Sequence, residues 1–273
     1  MSKPIRHILS LSGGKDSAAL AIYMRDRVPE MEYIFHDTGK ELPETYEYLG
    51  RVEAWLGKPI HKTTQEDGDI VGFDQLLKIY GGMLPSSHRR WCTKMMKLKP
   101  FERFIGDTPC LNYIGLRADE KREGYISHKP NITPVYPFRE DSLVKGDIER
   151  ILEESGIGMP PYTKWGRTRS GCFFCFYQQK VEWVMLKETH PDLFEQAKAY
   201  EKPGKTAERV FYWCGDEPLA ELEKPARMEQ IKRDNALARE KARLNAPNKK
   251  LIQILGGAED VYEEQESCLI CHL

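Results

Sequence analysis

The 273-residue sequence has no run approaching the ~18–20 apolar residues that a membrane-crossing helix requires, which leaves no helical span to place in a bilayer. It also lacks a dominant charge. With 41 Lys+Arg against 42 Asp+Glu the formal balance is −1, so a polyanionic partner would have to be met by a local basic face. Internal repeats and low-complexity stretches are absent. The opening Met1-Ser2-Lys3-Pro4 runs into a strand-like segment without a hydrophobic leader, so the expectation is a cytoplasmic protein with no membrane association. Cysteine is sparse and odd in number: Cys92, Cys110, Cys172, Cys175, Cys214, Cys268 and Cys271. Two pairs stand at Cys-x-x-Cys spacing in a chain too long to need disulfide staples, which favours metal or thiol chemistry.

What the sequence does have is 40% hydrophobic residues, enough for a core, arranged in a strand and helix rhythm. His7-Ile8-Leu9-Ser10-Leu11 reads as a strand, Ser12 to Ser17 as a glycine turn, and Ala18 to Met24 as the apolar side of a helix. Met31 to Phe35 is a second strand ending at His36-Asp37-Thr38-Gly39, residues 43–56 are a helix, and Asn112 to Gly115 form a later strand. This alternation predicts an α/β fold, a parallel sheet with helices on both faces that binds ligands at the carboxyl ends of its strands. Residues 137–165 read as a turn-rich connector, 178–201 as one amphipathic helix and 225–244 as a charged, Ala-rich helix. The expected division is a nucleotide-binding α/β domain over 1–165 and a helical, cysteine-bearing C-terminal extension over 166–273.

The most informative stretch is Ser10-Leu11-Ser12-Gly13-Gly14-Lys15-Asp16-Ser17, between a strand and a helix. A turn of this composition offers unobstructed backbone N–H groups, a helix N-terminal dipole, hydroxyls and a cation, the parts of a polyphosphate cradle. It is not a Walker A loop, because the G-x-x-x-x-G-K-[ST] spacing is missing and Asp16 follows Lys15. The plain alternative is a glycine strand-to-helix turn that binds nothing.

The pattern Ser-Gly-Gly-x-Asp-Ser, met by Ser12, Gly13, Gly14, Asp16 and Ser17, resembles the PP-loop ATP pyrophosphatase superfamily. Within it the phosphoadenylylsulfate (PAPS) reductase-like branch looks nearest. Asp37-Thr38-Gly39 with Glu44-Thr45-Tyr46 is similar to its second-strand signature, and Arg90-Trp91-Cys92-Thr93 with Lys97 and Pro100 to its cysteine segment. Gly115-Leu116-Arg117 through Glu120 and Arg122 resembles its G-x-R-x-x-E-x-x-R stretch, and Gly166 through Arg169, Gly171, Cys172 and Cys175 its G-x-x-R-x-G-C-x-x-C stretch. The resemblance spans roughly residues 8–190 and implies an adenine nucleotide alpha hydrolase-like, HUP-type fold.

It further implies cleavage of ATP between the α- and β-phosphates, transfer of AMP to an acceptor oxygen, and displacement of AMP by a nucleophile. The turn N–H groups and Lys15 would stabilise the leaving pyrophosphate, Asp16 would orient Mg²⁺, and Arg117 and Arg122 would grip phosphate. Ser10, Ser12, Gly13, Gly14, Lys15, Asp16, Ser17, Asp37, Thr38, Gly115, Arg117 and Glu120 are the expected ATP-binding set. For the two arginines a solvated helix start in a charge run remains the competing reading.

Two thiolates at Cys172 and Cys175 are too few for a structural zinc or a [4Fe–4S] cluster, which need four ligands. The resemblance implies a [4Fe–4S] cluster on Cys92, Cys172, Cys175 and a tail cysteine, Cys271 ahead of Cys268; a redox Cys-x-x-Cys pair or zinc would use the same residues, and a site with no metal stays open. Cys110 and Cys214 read as buried inert thiols, Phe173, Phe174, Phe176 and Tyr177 as a hydrophobic wall, and Trp183, Leu186, Leu193 and Phe194 as core.

Two departures separate the chain from sulfonucleotide reductases. Trp91 stands where cluster-bearing reductases have a second adjacent cysteine, and the ending Glu266-Ser267-Cys268-Leu269-Ile270-Cys271-His272-Leu273 does not match their Glu-Cys-Gly-Leu-His tail. The turn keeps its full ATP-type form. The resemblance therefore points toward the ATP pyrophosphatases of DNA phosphorothioate-modification systems, with a cysteine desulfurase or other sulfur donor as partner, DNA or tRNA as acceptor, and a homodimer as a candidate assembly. A PAPS reductase, a tRNA-thiolating enzyme and a catalytically silent nucleotide-binding subunit stay open as alternatives. Segments 88–99 and 239–250 supply basic residues for a nucleic-acid face, and solvated helix faces are the competing reading.

Overall fold

The computed structural model describes residues 4–63, 72–121, 127, 129–202, 210–215 and 217–244. Its strands β1 (Arg6–Ser10), β2 (Glu32–His36), β3 (Ile60–Thr63), β4 (Cys110–Tyr113) and β5 (Ile132–Val135) form one sheet in the order β3-β2-β1-β4-β5. Every pairing is parallel. β1 is central, and strand order reverses beside it, between β2 and β4. In an open α/β sheet that reversal opens a crevice at the carboxyl edge, where the Ser12 to Ser17 turn lies.

Strand alternation sends side chains to two covers. Leu9, Tyr33, Phe35 and Tyr113 join a cluster with Ala18, Leu20, Ala21, Tyr48, Leu49, Val52, Ile148 and Leu152, contributed by α1 (Lys15–Met24), α2 (Pro43–Leu56) and a later helix. After α3 (Phe73–Ile79) a helical stretch runs through α4 (Trp91–Thr93), a π-helical turn (Lys94–Leu98) and α5 (Lys99–Ile105). Phe101 and Ile105 of α5 cover Ile8, Ile34, Cys110 and Ile132 on the opposite face. Helices thus lie on both faces, as the strand and helix rhythm predicts.

Two expectations need correction. The connector over 137–165 contains α6 (Pro137–Glu140), the ten-residue α7 (Lys145–Glu154) and a 3-10 turn (Pro161–Trp165). Its prolines sit in first turns, where no amide donor is needed, and Ile148 and Leu152, one helical turn apart, are buried in the core. The single helix expected over 178–201 is two, α8 (Lys180–Thr189) and α9 (Pro191–Ala199). Pro191 cannot continue the ladder and pushes His190 out of the helical region, to φ −132° and ψ 67°.

The chain divides into two compact units, the first holding the sheet up to Cys172, the second formed by residues 81–87 and the described residues from 173 to 244. In the second unit, α8 and α9 are followed by α10 (Leu219–Leu222) and α11 (Pro225–Leu244). Phe174, Trp183, Phe194, Tyr200 and Trp213 build an aromatic core there, with Phe174 stacked on Trp213 at 5.1 Å. The Glu201 carboxylate holds the Trp213 and Leu219 amides at 2.9 and 2.7 Å. Burial raises the Cys214 thiol to about 12, and Leu193 is half-buried beside the buried Phe194.

Candidate functional site

The turn after β1 is held by its own hydroxyls. Ser170 donates to Ser12 Oγ (3.3 Å), Ser12 and Ser17 lie 3.1 Å apart through their hydroxyls, and Ser17 donates to the Gly14 carbonyl (3.1 Å). With those directions fixed at both ends, Ser12 donates to Ser17, giving a one-way relay Ser170 to Ser12 to Ser17 to Gly14. The Ser12 amide also donates to Ser17 Oγ at 3.2 Å, and the Gly14 amide to Ser12 Oγ at 3.3 Å. The turn is therefore shaped before any ligand arrives.

Glycine is required at two points. Gly13 has φ +74°, and a Cβ there would stand 2.5 Å from Thr45 Cγ2. Gly115, after β4, lies so close to the head of α1 that a Cβ would stand 2.9 Å from the Asp16 carbonyl oxygen. Gly14 caps α1 without a side-chain hydrogen bond, so the first-turn amides and the positive end of the helix dipole face the carboxyl edge of the sheet.

Lys15, Asp16 and Ser17 are buried at this helix head, and Ser10 is buried at the end of β1. Asp16 Oδ1 is paired with Arg117 Nη1 at 2.9 Å, joining the turn to the loop after β4. Arg117 also meets Asp119 at 3.0 Å through Nε and Glu120 at 3.5 Å through Nη1. Burial alone would lower its pKa, but Asp16, Glu120 and Asp119 together raise it, so the guanidinium stays charged. The side chain expected to grip phosphate is here held by three carboxylates, while Arg122 lies outside the described residues.

The loop after β2 forms the other wall. Asp37 Oδ1 accepts from the Gly39 amide (2.8 Å) and the Tyr46 hydroxyl (2.7 Å), and burial followed by this bond raises the Tyr46 pKa. Thr38 donates to Glu41 Oε1 at 3.0 Å. Cys172 Sγ lies 3.2 Å from Thr38 Oγ1 and 3.8 Å from Glu41 Oε1, and the two backbones meet in an antiparallel bridge at Glu41 and Cys172. Burial raises the Glu41 carboxyl pKa, opposed by Lys97, Thr38 and Arg167.

Cys92 is half-buried in α4, with Sγ 4.0 Å from Thr93 Oγ1, and Cys175 is half-buried as well. Among the described residues no three His, Cys, Asp or Glu side chains converge to hold a metal ion. Cys268 and Cys271 lie outside the described residues, as do 245–250 of the second basic segment. Cys110 is buried and desolvation raises its thiol to about 12, which makes it inert. No described helix is long and apolar enough to cross a membrane.

Glu41, Arg167 and Asn112 are site-region residues that sequence reasoning passed over. Glu41 and Arg167 carried only the weak signal of charge beside a matched motif. Asn112, fully buried in β4, carried a clearer one, a polar residue inside a strand of a two-faced sheet; neither its Oδ1 nor its Nδ2 has a partner among the described residues.

Residues 6–132 match the family described as the phosphoadenosine phosphosulfate reductase domain. Two uncharacterised proteins of Methanocaldococcus jannaschii are similar, one 28% identical over 72% of this chain and 41% of its own length, the other 24% identical over 68% and 45%. An uncharacterised nin region protein of Escherichia phage lambda is 30% identical over 46% of this chain and 52% of its own length. The chain thus spans about half, or less, of these relatives. Among solved structures, a PAPS reductase from Candida auris in complex with phosphate has a TM-score of 0.48 at 15% identity, covering 61% of this chain and 81% of that one. A U34-tRNA thiolase from Methanococcus maripaludis with its [4Fe–4S] cluster has a TM-score of 0.42 at 14% identity, covering 73% and 72%.

Proposed function

We propose that the chain, whose residues 6–132 match the phosphoadenosine phosphosulfate reductase domain, is an AMP-forming ATP pyrophosphatase that prepares an acceptor oxygen for replacement by sulfur. The observation that carries this reading is the Ser12 to Ser17 turn. It keeps every residue of the ATP-type pattern, and its hydroxyls are fully engaged in holding the turn's shape.

In the proposed reaction the acceptor oxygen attacks the α-phosphorus, the bond from that phosphorus to the α,β-bridging oxygen breaks, and pyrophosphate leaves with the electron pair. The first-turn amides of α1 and Lys15 receive the charge that builds on the leaving group. Asp16, whose Oδ1 is paired with Arg117, would help to hold Mg²⁺ arriving with the nucleotide. Arg117 serves the site through Asp16, which it holds against the turn. Asp37, whose Oδ1 accepts from Gly39 and Tyr46, would contact the nucleoside or the metal. A sulfur nucleophile from a cysteine desulfurase or similar donor then displaces AMP.

The [4Fe–4S] cluster proposed on Cys92, Cys172, Cys175 and Cys271 would supply a soft sulfur-handling centre. The described members form no group of three, and no step above runs through it. Iron and acid-labile sulfide, measured on anaerobically purified protein, report on it directly.

The test is pyrophosphate release from ATP and Mg²⁺ in the presence of inorganic sulfide as the nucleophile, with and without DNA or tRNA, for the parent chain and Asp16→Ala. AMP and pyrophosphate in equal amounts, lost by roughly 100-fold or more in Asp16→Ala, support the reading. Stimulation by DNA assigns the acceptor to phosphorothioate modification, and stimulation by tRNA to thiolation. The family match over 6–132 favours one second reading, a sulfonucleotide reductase, which predicts thioredoxin-dependent sulfite release with ATP left intact. ATP binding with neither product would leave a silent nucleotide-binding subunit.

A further inference from the structure

Residues 167–172 reach two walls of the candidate site, and one buried side chain gives this stretch its shape. Arg167 is 1% exposed, and a cation so deeply buried must find acceptors. Nε and Nη2 find them in the backbone of its own loop, while Nη1 has no hydrogen-bond partner among the described residues. Nε donates to the Arg169 carbonyl at 3.0 Å, and Nη2 donates to the Gly171 and Cys172 carbonyls at 2.9 and 2.7 Å. Three carbonyls turned onto one guanidinium keep the loop curled inward.

The curl delivers two side chains in different directions. Ser170 starts the hydroxyl relay into the turn, donating to Ser12, and its Oγ lies only 3.0 Å from where a Cβ on Gly14 would stand. Cys172 closes against Thr38 and bridges to Glu41 in the loop after β2. We propose that Arg167 is a positioning residue, whose guanidinium sets the loop that places Ser170 on the phosphate-binding turn and Cys172 against Thr38 and Glu41. Its planar fork spans carbonyls at fixed angles, which the single ammonium of lysine cannot reproduce. The Ser170 half of the proposal rests on the nucleotide reading above; the Cys172 half stands without it.

The test follows iodoacetamide labelling of single thiols by mass spectrometry in the chain as purified and in Arg167→Gln and Arg167→Lys. Cys110, buried in β4, is the internal reference, since its thiol is reached only when the sheet opens. Cys172 should label on the order of tenfold faster in Arg167→Gln and by an intermediate amount in Arg167→Lys, with Cys110 and the melting temperature little changed. ATP affinity, read in parallel, should weaken in the same order. An unchanged Cys172 rate in a folded variant overturns the proposal. So does a parallel rise at Cys172 and Cys110, or failure of both variants to fold, since each makes Arg167 merely part of the core. If the parent chain does not bind ATP but the Cys172 rates shift as stated, the nucleotide reading fails and the positioning role stands.

Discussion

His36 is 3% exposed at the end of β2, with Nδ1 3.0 Å from Thr63 Oγ1 and the edge of its ring toward Phe101. Burial, and then the positive neighbours Lys97 and His61, lower its pKa to about 3. In the unfolded chain it titrates near 6.5, so between these values the unfolded state takes up a proton that the folded state refuses. Stability therefore falls as pH drops from about 6.5 toward 3, by at most ~1.4 kcal/mol per pH unit from this group. Thermal melts across that window should show the slope, and His36→Gln should flatten it; an unchanged slope would remove His36 as its cause. At the helix head, Arg117→Ala deprives buried Asp16 of its partner. It should cost about 3 kcal/mol, seen as a lower denaturant midpoint, whereas an unchanged midpoint would show that the pair contributes nothing to stability.

At the scale of elements, α1 is placed by the glycines around its first turn. Gly115→Ala sets a Cβ 2.9 Å from the Asp16 carbonyl oxygen, a backbone atom that cannot swing aside. The expected result is a loss of ~1–3 kcal/mol and a nucleotide affinity weakened more than the melting temperature suggests, because the helix head itself must move. Isothermal titration alongside melts would separate the two effects; intact affinity in a destabilised variant would place Gly115 in the core alone. The elements that build this corner were readable beforehand, because β1 and β2 are short apolar runs, α1 is a run of small and apolar residues directly after a glycine turn, and α2 is amphipathic. The break at His190 and Pro191 was hidden by an amphipathic pattern that continues across it, and α7 by the prolines on either side. The Asp16 and Arg117 pair, 101 residues apart, has no sequence signature, since tertiary folding alone brings it together, and the Arg167 clamp, though it closes on carbonyls of its own loop, depends on a loop conformation that no motif announces.

For the whole molecule, the sheet unit holds the matched family domain, the turn, the loop after β2 and the strap that ends at Cys172. The second unit holds Cys175, an aromatic core and the long helix α11, of which Ile231 is the one residue buried. The cysteines assigned to a cluster by resemblance are thus spread over both units and the residues outside the described set. The Ser12 to Ser17 turn belongs to the first unit alone, so the proposed nucleotide chemistry is the claim on which the rest depends. It is tested most directly by following ATP and Mg²⁺ with the purified chain by phosphorus NMR, in the presence of DNA or tRNA and of inorganic sulfide as the nucleophile. Cleavage between the α- and β-phosphates predicts AMP and pyrophosphate growing together, with no ADP. ADP with inorganic phosphate, or unchanged ATP while a sulfonucleotide yields sulfite, would contradict it.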